Sequence, residues 1–212
     1  YEEISKYTIG SVKPETKYAK RFKNQKPIKG EKIPKLTDFF KLVAEDKHKD
    51  VFLNLEIKST LTQENVTPNP EKMVSLILKD IKEYDLENRT LITSYDWRIL
   101  YELKKQNSNI LRGFITLQQD LPTTKKNVYE NSPWMVKNYP MEELFLLPNI
   151  IKSIEGHVWS VFYRDVTKQN VELAHKHGLA TCVWTVNREK DIIRMIEYGV
   201  DGIITDYPKK VQ

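Results

Sequence analysis

Short apolar, β-branched runs alternate with longer segments of helical periodicity along most of this chain, and no other feature restricts its fold as strongly. The runs are VFLNLEIK at 51 to 58, TLITSY at 90 to 95, LRGFIT at 111 to 116, HVWSVF at 157 to 162, ATCVWTVN at 180 to 187 and DGIITDY at 201 to 207. Between them lie segments with helix punctuation. Asn69 and Pro70 fit the cap and first turn of a helix reaching about Tyr84, with Met73, Leu76, Ile77, Ile81 and Tyr84 on its buried stripe. Asp96 can cap a helix near 97 to 106, and Thr167 one near 168 to 177 that stops at Gly178. Asn187 is expected to cap the next, with Ile192, Ile193 and Ile196 toward the sheet. Leu36 to Ala44 reads as a further helix, and 117 to 149, with four prolines, as an irregular insertion. Alternation of this kind predicts a parallel sheet of six strands with helical crossovers, in a single domain over 1 to 212.

An open doubly wound sheet and a closed barrel both start from such units. The first run separates them, because strand side chains alternate between faces. Leu53, Leu55 and Ile57 share one face while Asn54, Glu56 and Lys58 share the other. A sheet with helices on both sides would bury those charges without water. In a barrel the outer face meets helices, and the inner face near the C-terminal mouth reaches solvent and ligand. The expected fold is therefore an α/β TIM (β/α)8 barrel with about six of its eight units visible, the other two lying upstream of Tyr1. A chain that began at Tyr1 would be expected to have two exposed sheet edges and no activity.

Composition narrows the partners. With 40% hydrophobic and 30% charged residues the chain is too apolar for disorder and too polar for a membrane bundle. No apolar run approaches the length of a membrane span, and a lone cysteine, Cys182, excludes an intrachain disulfide and a cysteine-based zinc cluster. The net charge of +5 is modest, and the basic residues form no nucleic-acid stripe; Lys6 to Lys35 is lysine-studded and reads as solvated surface. No nucleic acid and no integral membrane segment are expected.

Glu56 and Lys58 are the sharpest chemical constellation. Two apart on a strand, they project to one side about 6.5 to 7 Å apart, close enough for one substrate to meet an anion and a cation. The carboxylate suits a hard divalent cation and the ammonium a phosphate oxygen. An exposed edge strand or a buried ion pair would show the same spacing.

LNLEIKS at 53 to 59, ITSYDWRIL at 92 to 100, VWTVN at 183 to 187 and GVDGIITDYP at 199 to 208 together resemble the glycerophosphodiester phosphodiesterase family. IPKLTDFFKL at 33 to 42 is similar to the helix before that family's E-x-K strand. The resemblance implies a TIM barrel of glycerol and lipid metabolism that hydrolyses small-molecule glycerophosphodiesters to glycerol 3-phosphate and an alcohol with a divalent cation, Mg²⁺ or Ca²⁺. It implies Glu56 as a metal ligand, Lys58 as a phosphate contact and Trp184 as a pocket wall, core packing being the other reading of Trp184. Ser94, at the end of the second strand, is a candidate donor to a phosphate or glycerol oxygen, or part of the helix cap with Asp96.

Family catalysis resembles a two-histidine acid and base scheme, with one histidine in H-R-G and the other in H-D. Neither motif occurs here, and His48, His157, His175 and His177 do not stand in for them. Two other functions stay open: a barrel that binds phosphate ligands without turnover, and a membrane-acting phospholipase D-like relative whose rim would include Trp134, Met135, Met141 and Phe145. ITSYDWRIL is similar to family members that are often exported, implying an exported or periplasmic location, with a cytoplasmic one as the alternative.

Overall fold

The computed structural model describes residues 1–61, 66–107 and 109–211, in two compact units, Tyr1–Asp50 and Val51–Gln212. In the first, α1 (Lys17–Arg21) is capped by Thr16, whose Oγ1 accepts from Ala19 N at 3.1 Å. Two backbone hydrogen bonds, Ile9 N to Glu31 O at 3.0 Å and Ile28 N to Gly10 O at 2.8 Å, bring the flanks of α1 together. Here Gly10 is required by space, since a Cβ would lie 1.9 Å from the Ile28 carbonyl oxygen. The helix expected near Leu36 is α2 (Leu36–Val43), where Asp38 Oδ2 accepts from Lys35 N at 3.2 Å and Phe40 and Val43 are buried.

In the second unit all six expected strands form: β1 (Leu53–Ile57), β2 (Thr90–Ser94), β3 (Leu111–Thr116), β4 (Val158–Phe162), β5 (Ala180–Trp184) and β6 (Gly202–Ile203). Each pairs in parallel with its neighbours in sequence, in the order β1-β2-β3-β4-β5-β6. Parallel neighbours need crossovers, and these are α3 (Pro70–Glu83), α4 (Trp97–Gln106), a long irregular segment ending in α5 (Met141–Leu144) and α6 (Leu147–Ser153), then α7 (Lys168–Lys176) and α8 (Glu189–Glu197). The sheet curls as half of a barrel. Asn69, Asp96 and Thr167 cap their helices as expected, each side chain accepting a first-turn backbone N–H. No helix among the described residues is long and apolar enough to cross a membrane.

Three details differ from the sequence expectation. On α3 the buried residues are Val74 and Ile81, while Leu76 is 51% exposed. On α8 Ile192 and Met195 are buried, and Ile193 and Ile196 point outward. Both stripes lie a fraction of a turn from where the isoleucines and leucines alone would put them. Asn187 does not cap α8; its side chain accepts from Thr205 Oγ1 (3.1 Å) and Asp206 N (2.9 Å) and donates to Asp206 Oδ2 (2.7 Å). That clasp joins the ends of β5 and β6, and α8 starts two residues later at Glu189, after Arg188.

The inner face of the sheet is kept narrow in its lower layer. A Cβ on Gly113 would meet Thr93 Cγ2 at 2.6 Å, and one on Gly202 would meet Cys182 Sγ at 2.6 Å. Glycine thus sits beside Thr93 and Cys182 on the neighbouring strands, where a larger residue would not fit, and the cavity opens toward the strand C-termini.

Candidate active site

Free space there amounts to a cavity of about 400 Å³, whose described lining comes from all six strands or the residues just after them. Asn54, Glu56 and Lys58 come from β1, Thr93 and Tyr95 from β2, Ile115 from β3, Ser160 from β4, Trp184 and Thr185 from β5, and Ile204 follows β6. Thr124, from the irregular segment, completes it. A crevice outside the carboxyl ends of parallel strands is where α/β folds place their ligands.

Strand alternation puts Asn54 and Glu56 on the cavity side, and Lys58, one residue beyond the strand, continues the row. Lys58 Nζ lies 2.5 Å from Glu56 Oε1, and both side chains keep solvent contact, at 77% and 39% exposure. The two charges therefore compensate each other without being sealed off from an incoming ligand. Asn54 is held in place by Thr93, whose Oγ1 donates to Asn54 Oδ1 at 2.9 Å. The backbone after Lys58 is fixed by Ser59, whose Oγ donates to the buried Asp96 Oδ2 at 2.6 Å, while Asp96 also accepts from Arg98 and caps α4.

Trp184 forms the wall at the end of β5, its Nε1 donating to Ser160 O at 3.2 Å and its ring 5.3 Å from that of Phe162. The indole is thus oriented by a strand carbonyl and borders the cavity. Ser94 is not brought there. It is fully buried, its Oγ donating to Ile57 O at 2.9 Å and accepting from Asp96 N at 3.1 Å, so its hydroxyl serves the β1–β2 junction and the cap.

Tyr95 and Thr124 are cavity residues that the sequence reading missed. Tyr95 donates its hydroxyl to Lys125 O and packs edge-on against Trp134, with ring centroids 5.3 Å apart. Burial, with Asp120 nearby, pushes its phenol pKa well above the ordinary value, so the hydroxyl stays a donor. The buried Asn127 ties this wall down: Nδ2 donates to Tyr95 O (2.9 Å) and Ile115 O (2.8 Å), and Oδ1 accepts from Leu117 N (2.9 Å). Tyr95 could have been found from its place directly after a strand. Thr124 carries no such signal, because its position depends on the course of an irregular segment.

None of the four histidines lines the cavity. His157 precedes β4, at the opposite strand ends, where its Nδ1 accepts from Arg112 N at 3.1 Å; burial holds its pKa below the usual histidine range. His175 Nε2 meets Asp201 at 2.8 Å and His177 Nε2 meets Asn149 at 2.7 Å, both on the surface. Of the four rim candidates, Met135 is buried, Trp134 packs on Tyr95, and Met141 and Phe145 are exposed at 49% and 67%.

The oxygen donors of Glu56 and Asn54 suit a hard divalent cation in kind. They fall short in number: Mg²⁺ and Ca²⁺ take about six or more oxygens, and among the described residues no group of three His, Cys, Asp or Glu side chains is placed to hold a metal. These residues do not by themselves make a metal centre.

Comparison with known proteins follows the same lines. Residues 1–210 match the family model described as glycerophosphoryl diester phosphodiesterase family. A glycerophosphodiester phosphodiesterase from Caldanaerobacter subterraneus is 31% identical over 98% of this chain and 68% of its own length. A crystal structure under the name glycerophosphoryl diester phosphodiesterase, from Silicibacter pomeroyi, superimposes with a TM-score of 0.82 at 31% identity, over all of this chain and 65% of the other. A phosphodiesterase from Oleispira antarctica, solved with the product sn-glycerol-3-phosphate, shares the fold at 19% identity with a TM-score of 0.61, over 85% of this chain and 60% of the other. The chain thus spans between 60% and 68% of the lengths of these relatives.

Proposed function

The chain belongs to the glycerophosphoryl diester phosphodiesterase family, and from that premise we propose that it hydrolyses glycerophosphodiesters to glycerol 3-phosphate and an alcohol, with the aid of Mg²⁺ or Ca²⁺. One observation carries the reading: Glu56, Lys58 and Trp184 converge on a single cavity at the strand C-termini. A glycerophosphodiester has an anionic phosphate between two alcohol-derived groups. The Lys58 ammonium supplies the cation that draws the phosphate in and opposes the charge that builds on its oxygens as phosphorus is attacked. To receive it, Lys58 exchanges part of its contact with Glu56 for the ligand, which the exposure of both groups permits. Trp184 offers an aromatic surface for the carbon skeleton, and Tyr95 and Thr124 supply further lining. Glu56, released from full pairing, is the cavity carboxylate proposed to bind the divalent cation.

Incubation of the intact gene product with glycerophosphocholine, with and without Mg²⁺ or Ca²⁺, tests this directly by release of glycerol 3-phosphate. Metal-stimulated release supports the reading, and intact substrate under every metal condition rejects it. A second reading, binding without turnover, draws on the absence of histidine from the described cavity lining. It would be favoured by tight binding of glycerol 3-phosphate together with an unconsumed diester.

A further inference from the structure

The net charge of the chain is not spread over it. Residues 1–50 contain 13 Lys and Arg against 8 Asp and Glu, whereas residues 51–212 contain 21 of each. The whole excess therefore belongs to the first unit, and within it to one loop. Between the backbone closure at Ile9–Gly10 and Ile28–Glu31 lie residues 11–27, with Lys13, Lys17, Lys20, Arg21, Lys23 and Lys26 against the single acid Glu15. That is a net +5 on 17 residues.

The loop is built rather than merely basic. Its neck is pinned by the two hydrogen bonds at Gly10 and Glu31, Val12 N donates to Gln25 Oε1 at 3.1 Å, and its tip is the capped helix α1. Apolar side chains stand among the cations: Tyr18 is 58% exposed, its ring 4.6 Å from that of Phe22, and Ile28 at the neck is 62% exposed. None of residues 1–39 is buried, so these groups contribute to no core of their own. A dense cation cluster with exposed aromatic and aliphatic groups combines the two attractions that hold a protein on an anionic bilayer, charge and shallow apolar insertion. Five of the six cations are lysines, compact point charges suited to a field of lipid phosphates rather than to the planar forks that read nucleic-acid bases.

We propose that the loop over residues 11–27 is a docking surface for an anionic lipid membrane. Its charge complements the bilayer, and Tyr18 and Ile28 enter the headgroup region. The function is separate from hydrolysis in the cavity and is read without an activity assay.

The test is co-sedimentation of the whole protein with vesicles of phosphatidylglycerol and phosphatidylcholine, against vesicles of phosphatidylcholine alone. Binding is expected only to the anionic vesicles at about 0.1 M salt, and to be lost at about 0.5 M as screening shortens the reach of the charges. Lys17→Glu/Lys20→Glu/Lys23→Glu should weaken it by about tenfold or more. Lys17→Gln/Lys20→Gln/Lys23→Gln, which keeps the side-chain stems, should weaken it less but measurably, and Tyr18→Ser should do so without changing the salt dependence. Circular dichroism accompanies each variant, and the glutamine variant carries the test should the reversal not fold. Absence of binding to anionic vesicles, equal binding to both vesicle types, undiminished binding by the folded lysine variants, or a preference for duplex DNA over vesicles would each overturn the proposal.

Discussion

At the scale of single residues, position at the end of β1 and just after it underlies the roles proposed for Glu56 and Lys58. Lys58→Ala removes the cation proposed to meet the phosphate, so KM for a glycerophosphodiester should rise by about tenfold or more, with a smaller loss in kcat, in steady-state kinetics. Glu56→Gln keeps shape but removes the charge; turnover should fall more than affinity and the response to added divalent metal should flatten. His157 gives a pH prediction of a different kind. Its half-buried ring must be unprotonated at Nδ1 to accept from Arg112 N–H, and its pKa is pushed down, so the unfolded chain takes up the proton first. The stability it contributes is complete above the ordinary histidine value of about 6.5 and is lost as pH falls through that value toward the lower folded one. Melting temperatures should therefore decline between about pH 7 and pH 5, and His157→Asn should reduce that slope. The alternation of LNLEIK made the shared side of Glu56 and Lys58 legible, because period two puts alternate residues on one face and the leucines and isoleucine on the other. Ser94 was harder, since a residue at a strand end can face a ligand or a cap, and here the Ile57 carbonyl and the Asp96 N–H claim its hydroxyl.

At the scale of elements, strands and capped helices were readable because each carries its own signal: Asn69–Pro70, Asp96 and Thr167 start helices where their side chains can accept first-turn N–H groups. Helix faces were less so. Isoleucines at 192, 193 and 196 define a stripe by composition, but Ile192 and Met195 are the residues buried, so packing in the folded chain rather than hydrophobicity alone chose the rotation of α8. The irregular stretch 117–140 was legible only as an interruption. Its fixed course rests on Asn127, a buried side chain bridging Tyr95, Ile115 and Leu117, which no periodicity announces. Asn127→Ala strands buried polar groups at three places and should destabilise the protein by about 2 kcal/mol or more, measured by urea denaturation. Because the same side chain sets the Tyr95 and Thr124 wall, the variant should also raise KM for the diester, and Asn127→Asp should recover less than the wild-type value since it loses both Nδ2 donors.

At the scale of the whole molecule, sequential βα units make the order β1 to β6 the simplest parallel arrangement, and the second unit adopts it. Curling that sheet turns a row of alternate residues into a concave wall, which is how groups 128 positions apart in sequence, Glu56 and Trp184, come to border one cavity. The distribution of charge follows the division into units: the sheet-bearing unit carries equal numbers of acids and bases, and the charged residues of its described cavity lining are Glu56 and Lys58. The central claim is that this cavity receives the glycerol phosphate moiety against Lys58 and Trp184. Isothermal titration of sn-glycerol 3-phosphate into the protein, Lys58→Ala, Trp184→Ala and the exposed helix variant Lys79→Ala measures it most directly. The account predicts binding by the protein and by Lys79→Ala, with both cavity variants weaker by about tenfold; unchanged affinity in Lys58→Ala and Trp184→Ala would contradict it.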